Sequence, residues 1–145
     1  MYYVLHSTYY ALISMPTVLV FGTFDLLHPG HLHFLTQAKK HGDKLVVVVG
    51  RDKVVARIKG KAPVMHENDR LAMVKALGMV DAALLGHKDY QYQTLVKKLQ
   101  PDTICLGYDQ QETEGEIRAR IGDTIKIVRL KAYKPSIYKS SHLKK

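Results

Sequence analysis

Tryptophan is absent from the 145 residues, cysteine occurs once, and 13 acidic side chains face 22 lysines and arginines. The lone Cys105 excludes an intramolecular disulfide and a multi-cysteine zinc site, so a reducing, cytoplasmic setting is expected. No apolar run approaches the roughly 18–20 residues that a spanning helix needs, which excludes an integral helical membrane protein. Repeats, low-complexity tracts and a linker are also lacking, so a single domain is expected. At 46% hydrophobic residues the chain is too apolar for disorder. Its length allows roughly 68–70% of the unfolded surface to be buried without metal or disulfide staples.

The shortage of acid leaves a formal charge of +9, which favours anionic partners. Lys59, Lys61, Lys131, Lys134, Lys139, Lys144 and Lys145 fall in expected loops and the tail rather than along one basic helix. That distribution suits a phosphate pocket, and no motif interleaves aromatic and basic residues as a nucleic-acid groove would. Neither a nucleic acid nor a membrane is expected as partner. The first residues lack the basic segment and small-residue cleavage site of a secretory signal. Residues 1–15 are expected to be an N-terminal extension, with Met15 as the natural start, and 16–145 to be the working domain.

From Thr17 onward, short apolar runs alternate with helical patterns. Thr17 to Phe21 and Lys44 to Val49 are apolar throughout, as strands covered on both faces of a parallel sheet must be. Asp81 to Leu85, Thr103 to Leu106 and Ile125 to Val128 are three further expected strands. Helices are expected over Gly30 to Lys40, Glu67 to Leu77, Tyr90 to Leu99 and Glu112 to Ile121, the third ended by Pro101. Leu71, Val74 and Leu77 form one apolar stripe, and a Gly/Lys-rich loop spans Lys59 to Met65. The alternation predicts an α/β, Rossmann-like, doubly wound sheet of five mostly parallel strands. Ligands of such sheets bind beyond the carboxyl ends of the strands.

The first strand runs into Gly22-Thr23-Phe24-Asp25-Leu26-Leu27-His28-Pro29-Gly30-His31 at that carboxyl end. Histidines three residues apart share one face of a helical turn, so His28 and His31 can converge on one group. Gly30 between them lets a phosphate or base approach the backbone. The free N–H groups and positive dipole end of the helix add an anion site. A zinc reading needs a third ligand, and no spacing to His33, His41, Asp25 or Cys105 compels one, so no metal ligands are expected here.

This segment resembles the signature of the cytidylyltransferase-like nucleotidyltransferases, and the likeness extends from about Pro16 to the C-terminus. Two branches compete. Glycerol-3-phosphate cytidylyltransferases carry a C-terminal Arg-Thr-x-Gly-Ile-Ser-Thr-Thr element. The corresponding Lys134-Pro135-Ser136-Ile137-Tyr138-Lys139-Ser140-Ser141 keeps only the paired hydroxyls, which weakens the CTP reading. Arg57 to Val64 and Pro101 to Gln110 together look like archaeal-type FAD synthases, which transfer AMP from ATP to FMN. The resemblance therefore implies ATP and FMN as substrates, with CTP and a small phosphate ester as the alternative pair. It also implies Mg²⁺ or another divalent cation accompanying the triphosphate, and a homodimer.

The implied roles follow the motif. His28 and His31 donate hydrogen bonds to the α/β-phosphates, joined by Lys61 as a catalytic cation. Thr23, Phe24, Pro29 and Gly30 line the nucleotide, with Asp109, Tyr133, Ser140 and Ser141 contributing from later segments. Lys59, Lys61 and Arg70 are the candidates for the acceptor phosphate. Plainer readings stand beside several of these: a turn for Thr23, core packing for Phe24, and pairing with Glu67 for Arg70. For Asp109 the alternative is an Asx turn capping the next helix, and for the two serines an ordinary N-cap.

Overall fold

The computed structural model describes residues 15–134. The expectations for the N-terminal extension, Ser140 and Ser141 lie outside them. Five strands, β1 (Thr17–Gly22), β2 (Lys44–Val49), β3 (Ala82–Leu85), β4 (Thr103–Leu106) and β5 (Lys126–Arg129), form one sheet in the order β3-β2-β1-β4-β5. Every strand pair is parallel, with Val20 opposite Val47 on one side and Cys105 on the other. The expected α/β doubly wound architecture is therefore the observed one.

The helices are α1 (Pro29–Lys39), α2 (Asp52–Lys59), α3 (Glu67–Lys75), α4 (Tyr92–Leu99) and α5 (Glu114–Ile121). Helix α2 was not expected, although its signals are in the chain. Asp52 opens its first turn, Arg57 and Lys59 close its last, and Gly60 at φ +74° provides the left-handed C-cap. Lys59 thus ends a helix, and the expected loop begins one residue later. Helix α4 starts two residues later than expected because Tyr90 adopts φ +58°, outside helical space. Helix α5 also starts two residues late, at a cap formed by Thr113 accepting from the Glu116 N–H.

Continuous apolarity in the central strands has its expected cause. Val18, Val20, Leu45, Val47, Val49 and Cys105 pack against Leu35 and Ala38 of α1 and Val74 of α3. Leu19, Val46, Val48, Ile104 and Leu106 face the other layer, where Tyr92 and Val96 of α4 and Ile117 of α5 cover them. Each such fully buried aliphatic side chain contributes about 1.5–3 kcal/mol over its exposed state. Leu71 and Leu77 flank Val74 as partly buried members of the first core. Cys105 sits within that core, where burial pushes its thiol up to about 11, so it is packed rather than reactive.

β1 has neighbours on opposite sides that are reached by crossovers in opposite directions. The crevice at its carboxyl end is the switch point at which this class of sheet receives ligands. The His28/His31 segment emerges there.

Candidate functional site

A Cβ at Gly22 would stand 2.6 Å from the Phe24 ring, so glycine is required where the chain leaves β1. Phe24 and Leu26 then take φ +53° and +49°, a left-handed conformation that is strained for such side chains. Two anchors hold the turn. Phe24 is buried in the core below it, the core packing that was its plainer reading, and it is the Phe24 backbone that was expected to meet the nucleotide. Asp25, 2% exposed, accepts the N–H groups of Val64 and Met65 at 2.7 and 2.9 Å.

His28 is the N-cap of α1: its Nδ1 accepts the Gly30 N–H at 3.1 Å. His31 answers three residues on, its Nδ1 accepting the His28 N–H at 3.2 Å. The pair forms a capping box made of imidazoles, with ring centroids 3.9 Å apart. An Nδ1 that accepts a hydrogen bond carries no proton, so both neutral rings hold theirs on Nε2. The result is two Nε2–H donors at a helix N-terminus. Burial lowers the His28 pKa, and His31 falls to about 4 through burial and the charges of His28 and Lys59, against a smaller opposing pull from Asp25. Both rings are therefore neutral donors near pH 7.

Lys59 joins them from α2, donating from Nζ to the Thr23 hydroxyl at 3.0 Å. Thr23 is thus tied to a cation from another element, not merely to its own turn. Lys61 stands exposed in the following segment. Arg70 requires a correction. It is fully buried, and its guanidinium donates to the carbonyls of Met65 (2.9 Å) and Thr23 (2.6 Å) and to the Asp52 carboxylate (2.6 Å). It lies under the site and supports it, out of reach of a phosphate. It does not pair with Glu67 either, since that carboxylate accepts the Asp52 N–H at 2.8 Å and meets Arg51.

The β4–α5 loop, carrying Asp109, leaves the same carboxyl edge of the sheet. Asp109 is exposed and does not cap α5, a task that Thr113 performs. Tyr133 stacks on His33 of α1, with centroids 4.8 Å apart, which brings the segment after β5 back to the histidine-bearing helix. Sequence reasoning missed Asp52, which pairs with Arg70 across 18 positions without any spacing signal, and it weighed Asp25 only as a metal ligand. The adjacency of Asp25 to the glycine turn was the available clue.

A glycine turn at the switch point of a parallel sheet, opening onto paired imidazole donors and a lysine, is the arrangement of an α/β domain of the nucleotide-handling class. Residues 19–144 match the model of the cytidylyltransferase-like family, and the chain belongs to that family. It is 53% identical over 123 residues to a protein named FAD synthase from Aciduliprofundum boonei, covering 82% of this chain and 80% of the relative. Another FAD synthase, from Thermoplasma volcanium, is 46% identical over 134 residues, 90% of this chain and 93% of that one. A solved structure from Thermoplasma volcanium, described as a lipopolysaccharide core biosynthesis protein, superposes with a TM-score of 0.77 at 48% identity. It covers 83% of this chain and 100% of its own.

Proposed function

We propose that this chain is an FMN adenylyltransferase, converting ATP and FMN into FAD and pyrophosphate. Relatives named FAD synthase support the adenylyl branch over cytidylyl transfer to glycerol 3-phosphate. The observation that carries the reading is the pair of neutral Nε2–H donors fixed at the α1 N-terminus.

An oxygen of the FMN phosphate attacks the α-phosphorus of ATP, the new P–O bond forms, and the bond to the bridging oxygen breaks as pyrophosphate takes its electrons. A phosphomonoester with a second pKa of about 6 is already anionic at neutral pH, so no general base is needed. Catalysis then rests on alignment and on charge-stabilising donors. His28 and His31 supply such donors to the α/β-phosphates, and the positive end of the α1 dipole favours the same anion. The expected free N–H groups are not part of this: the His28 and Gly30 N–H groups are spent on the two imidazoles, those of His31 and Leu32 on the His28 carbonyl, and Pro29 has none. Lys59 stands beside His31, and the exposed Lys61 of the next segment serves the acceptor phosphate in this reading. Thr23, Pro29, Asp109 and Tyr133 complete the nucleotide side in this reading.

Among the described residues no three His, Cys, Asp or Glu side chains cluster to hold a metal ion. In this reading a divalent cation accompanies the triphosphate as part of the substrate. No helix among the described residues is long and apolar enough to cross a membrane. A cytoplasmic homodimer is part of this proposal, and sedimentation of the purified chain tests the assembly.

The decisive assay is pyrophosphate release over a matrix of ATP and CTP against FMN and glycerol 3-phosphate. FAD formation from ATP and FMN is the expected result. Turnover confined to glycerol 3-phosphate would overturn the acceptor and leave the family membership standing.

A further inference from the structure

Arg129, the last residue of β5, does something no motif announces. Its Nη1 donates to the carbonyls of Gly107 at 2.9 Å and Gln110 at 3.0 Å, and its Nη2 to that of Glu112 at 3.0 Å. One planar guanidinium thus gathers three carbonyls from the β4–α5 loop. Within the loop, the Gln110 side chain accepts the Gly107 N–H at 2.7 Å. The far end is tied separately: the Glu112 carboxylate accepts from the Tyr92 hydroxyl at 2.8 Å and pairs with Arg120 at 3.3 Å. The folded loop also carries Asp109 close over Gly107, where a Cβ would come within 3.3 Å of the Asp109 Oδ1.

Core stability does not explain this arrangement. Arg129 is exposed, and Tyr108 and Asp109 face solvent. A surface loop at the carboxyl edge of a parallel sheet, carrying an exposed carboxylate and ring, is costly to hold in one shape unless something uses that shape. The guanidinium also offsets the partial negative charge of three carbonyls that would otherwise face an incoming polyanion.

We infer that Arg129 is a positioning residue for the nucleotide. It holds the 107–112 loop in the form that presents Asp109 and the loop's remaining backbone groups to the base and ribose. The inference rests on reading that loop as the nucleotide side of the proposed site. A lysine cannot replace the clamp, because a single ammonium lacks the fork that spans several acceptors.

The test uses Arg129→Ala and Arg129→Lys in the full chain, with steady-state kinetics and with calorimetric binding of a non-hydrolysable ATP analogue without FMN. Arg129→Ala should weaken ATP, in KM and in direct binding, by roughly ten- to a hundred-fold, the loss expected of one charge-assisted hydrogen bond. The KM for FMN and kcat should stay within about two-fold, because uniform nucleotide binding is what is removed. Arg129→Lys should recover only part of the loss, and it provides the reading should the alanine variant fail to fold. Unchanged affinity for the analogue, or equal losses in FMN KM and kcat, would overturn the inference. A wild-type chain that binds the analogue but never adenylates FMN would sink the proposed reaction and leave the clamp to be judged by binding alone.

Discussion

Because His28 spends its Nδ1 on capping α1, replacing it disturbs two things at once, and the two can be separated. His28→Ala removes the cap, worth about 0.5–2 kcal/mol of stability, together with the Nε2–H donor. His28→Asn keeps an acceptor for the Gly30 N–H but has no atom where Nε2 was. The asparagine variant should therefore melt close to wild type while kcat falls about 10²–10³-fold, the usual loss of a transition-state donor. Melting curves beside single-turnover rates check this; near-normal turnover in the asparagine variant would remove His28 from the chemistry. His31 yields a pH prediction. Its pKa is lowered by folding, so the unfolded state binds more protons at acidic pH. Its stabilising contribution is complete above the ordinary histidine value and is lost as pH falls through about 4. Urea midpoints measured from neutral to acidic pH should fall, and the fall should be shallower in His31→Gln. Asp52 adds a loss in the same direction. Burial raises its pKa, but the hydrogen bonds from Arg70 and the Glu67 backbone N–H, with the charges of Arg70 and His66, together outweigh that and hold it low.

At the scale of elements, the site is assembled by a buried network rather than by the motif alone. Arg70 joins α3 to the carbonyl of Thr23 and to Asp52 on α2, and Asp25 joins the glycine turn to Val64 and Met65. Arg70→Met takes the nearest cation from the half-buried Asp52 carboxylate, which keeps His66 and the Glu67 N–H, and leaves the Met65 and Thr23 carbonyls without their donor; each buried acceptor so orphaned costs about 1–3 kcal/mol. Asp25→Asn is subtler: its amide keeps an oxygen for one of the two backbone N–H groups and turns a donor toward the other, so that second bond is lost and its N–H is left facing a donor. That variant should lose about 1–3 kcal/mol, with amide exchange rising in residues 60–66 and staying unchanged in α4 and α5. Exchange rising evenly across the molecule would contradict the local role. None of these ties could be read from the chain. The strands were legible because a parallel sheet covered on both faces demands unbroken apolar runs. His28 and His31 were legible because three residues is a helical interval. The partnership of Arg70 with Asp52 and that of Arg129 with three carbonyls depend on tertiary placement, which leaves no period in sequence. Helix α2 was different: its charged turns and Gly60 cap were present, but the lysine-rich stretch drew attention to a loop.

For the whole molecule, the excess of basic over acidic groups bears on encounter rather than on fold. A formal charge of +9 surrounds a site proposed for two anionic substrates, and a field of that sign raises association rates at low ionic strength. The histidine donors act at contact distance inside a partly desolvated turn, where salt screens little. The two effects separate cleanly in kinetics. Raising ionic strength from about 20 to 500 mM, which shortens the Debye length several-fold, should lower kcat/KM for ATP and FMN while leaving kcat nearly constant. Nucleic-acid binding would instead show an affinity falling as a high power of salt, through release of many counterions. Neutralising Lys61 should flatten the salt dependence for FMN more than for ATP if that lysine serves the acceptor phosphate. Equal flattening for both substrates would assign Lys61 to the general field of the protein and leave Lys59, already bonded to Thr23 beside His31, as the cation nearer the reacting phosphates.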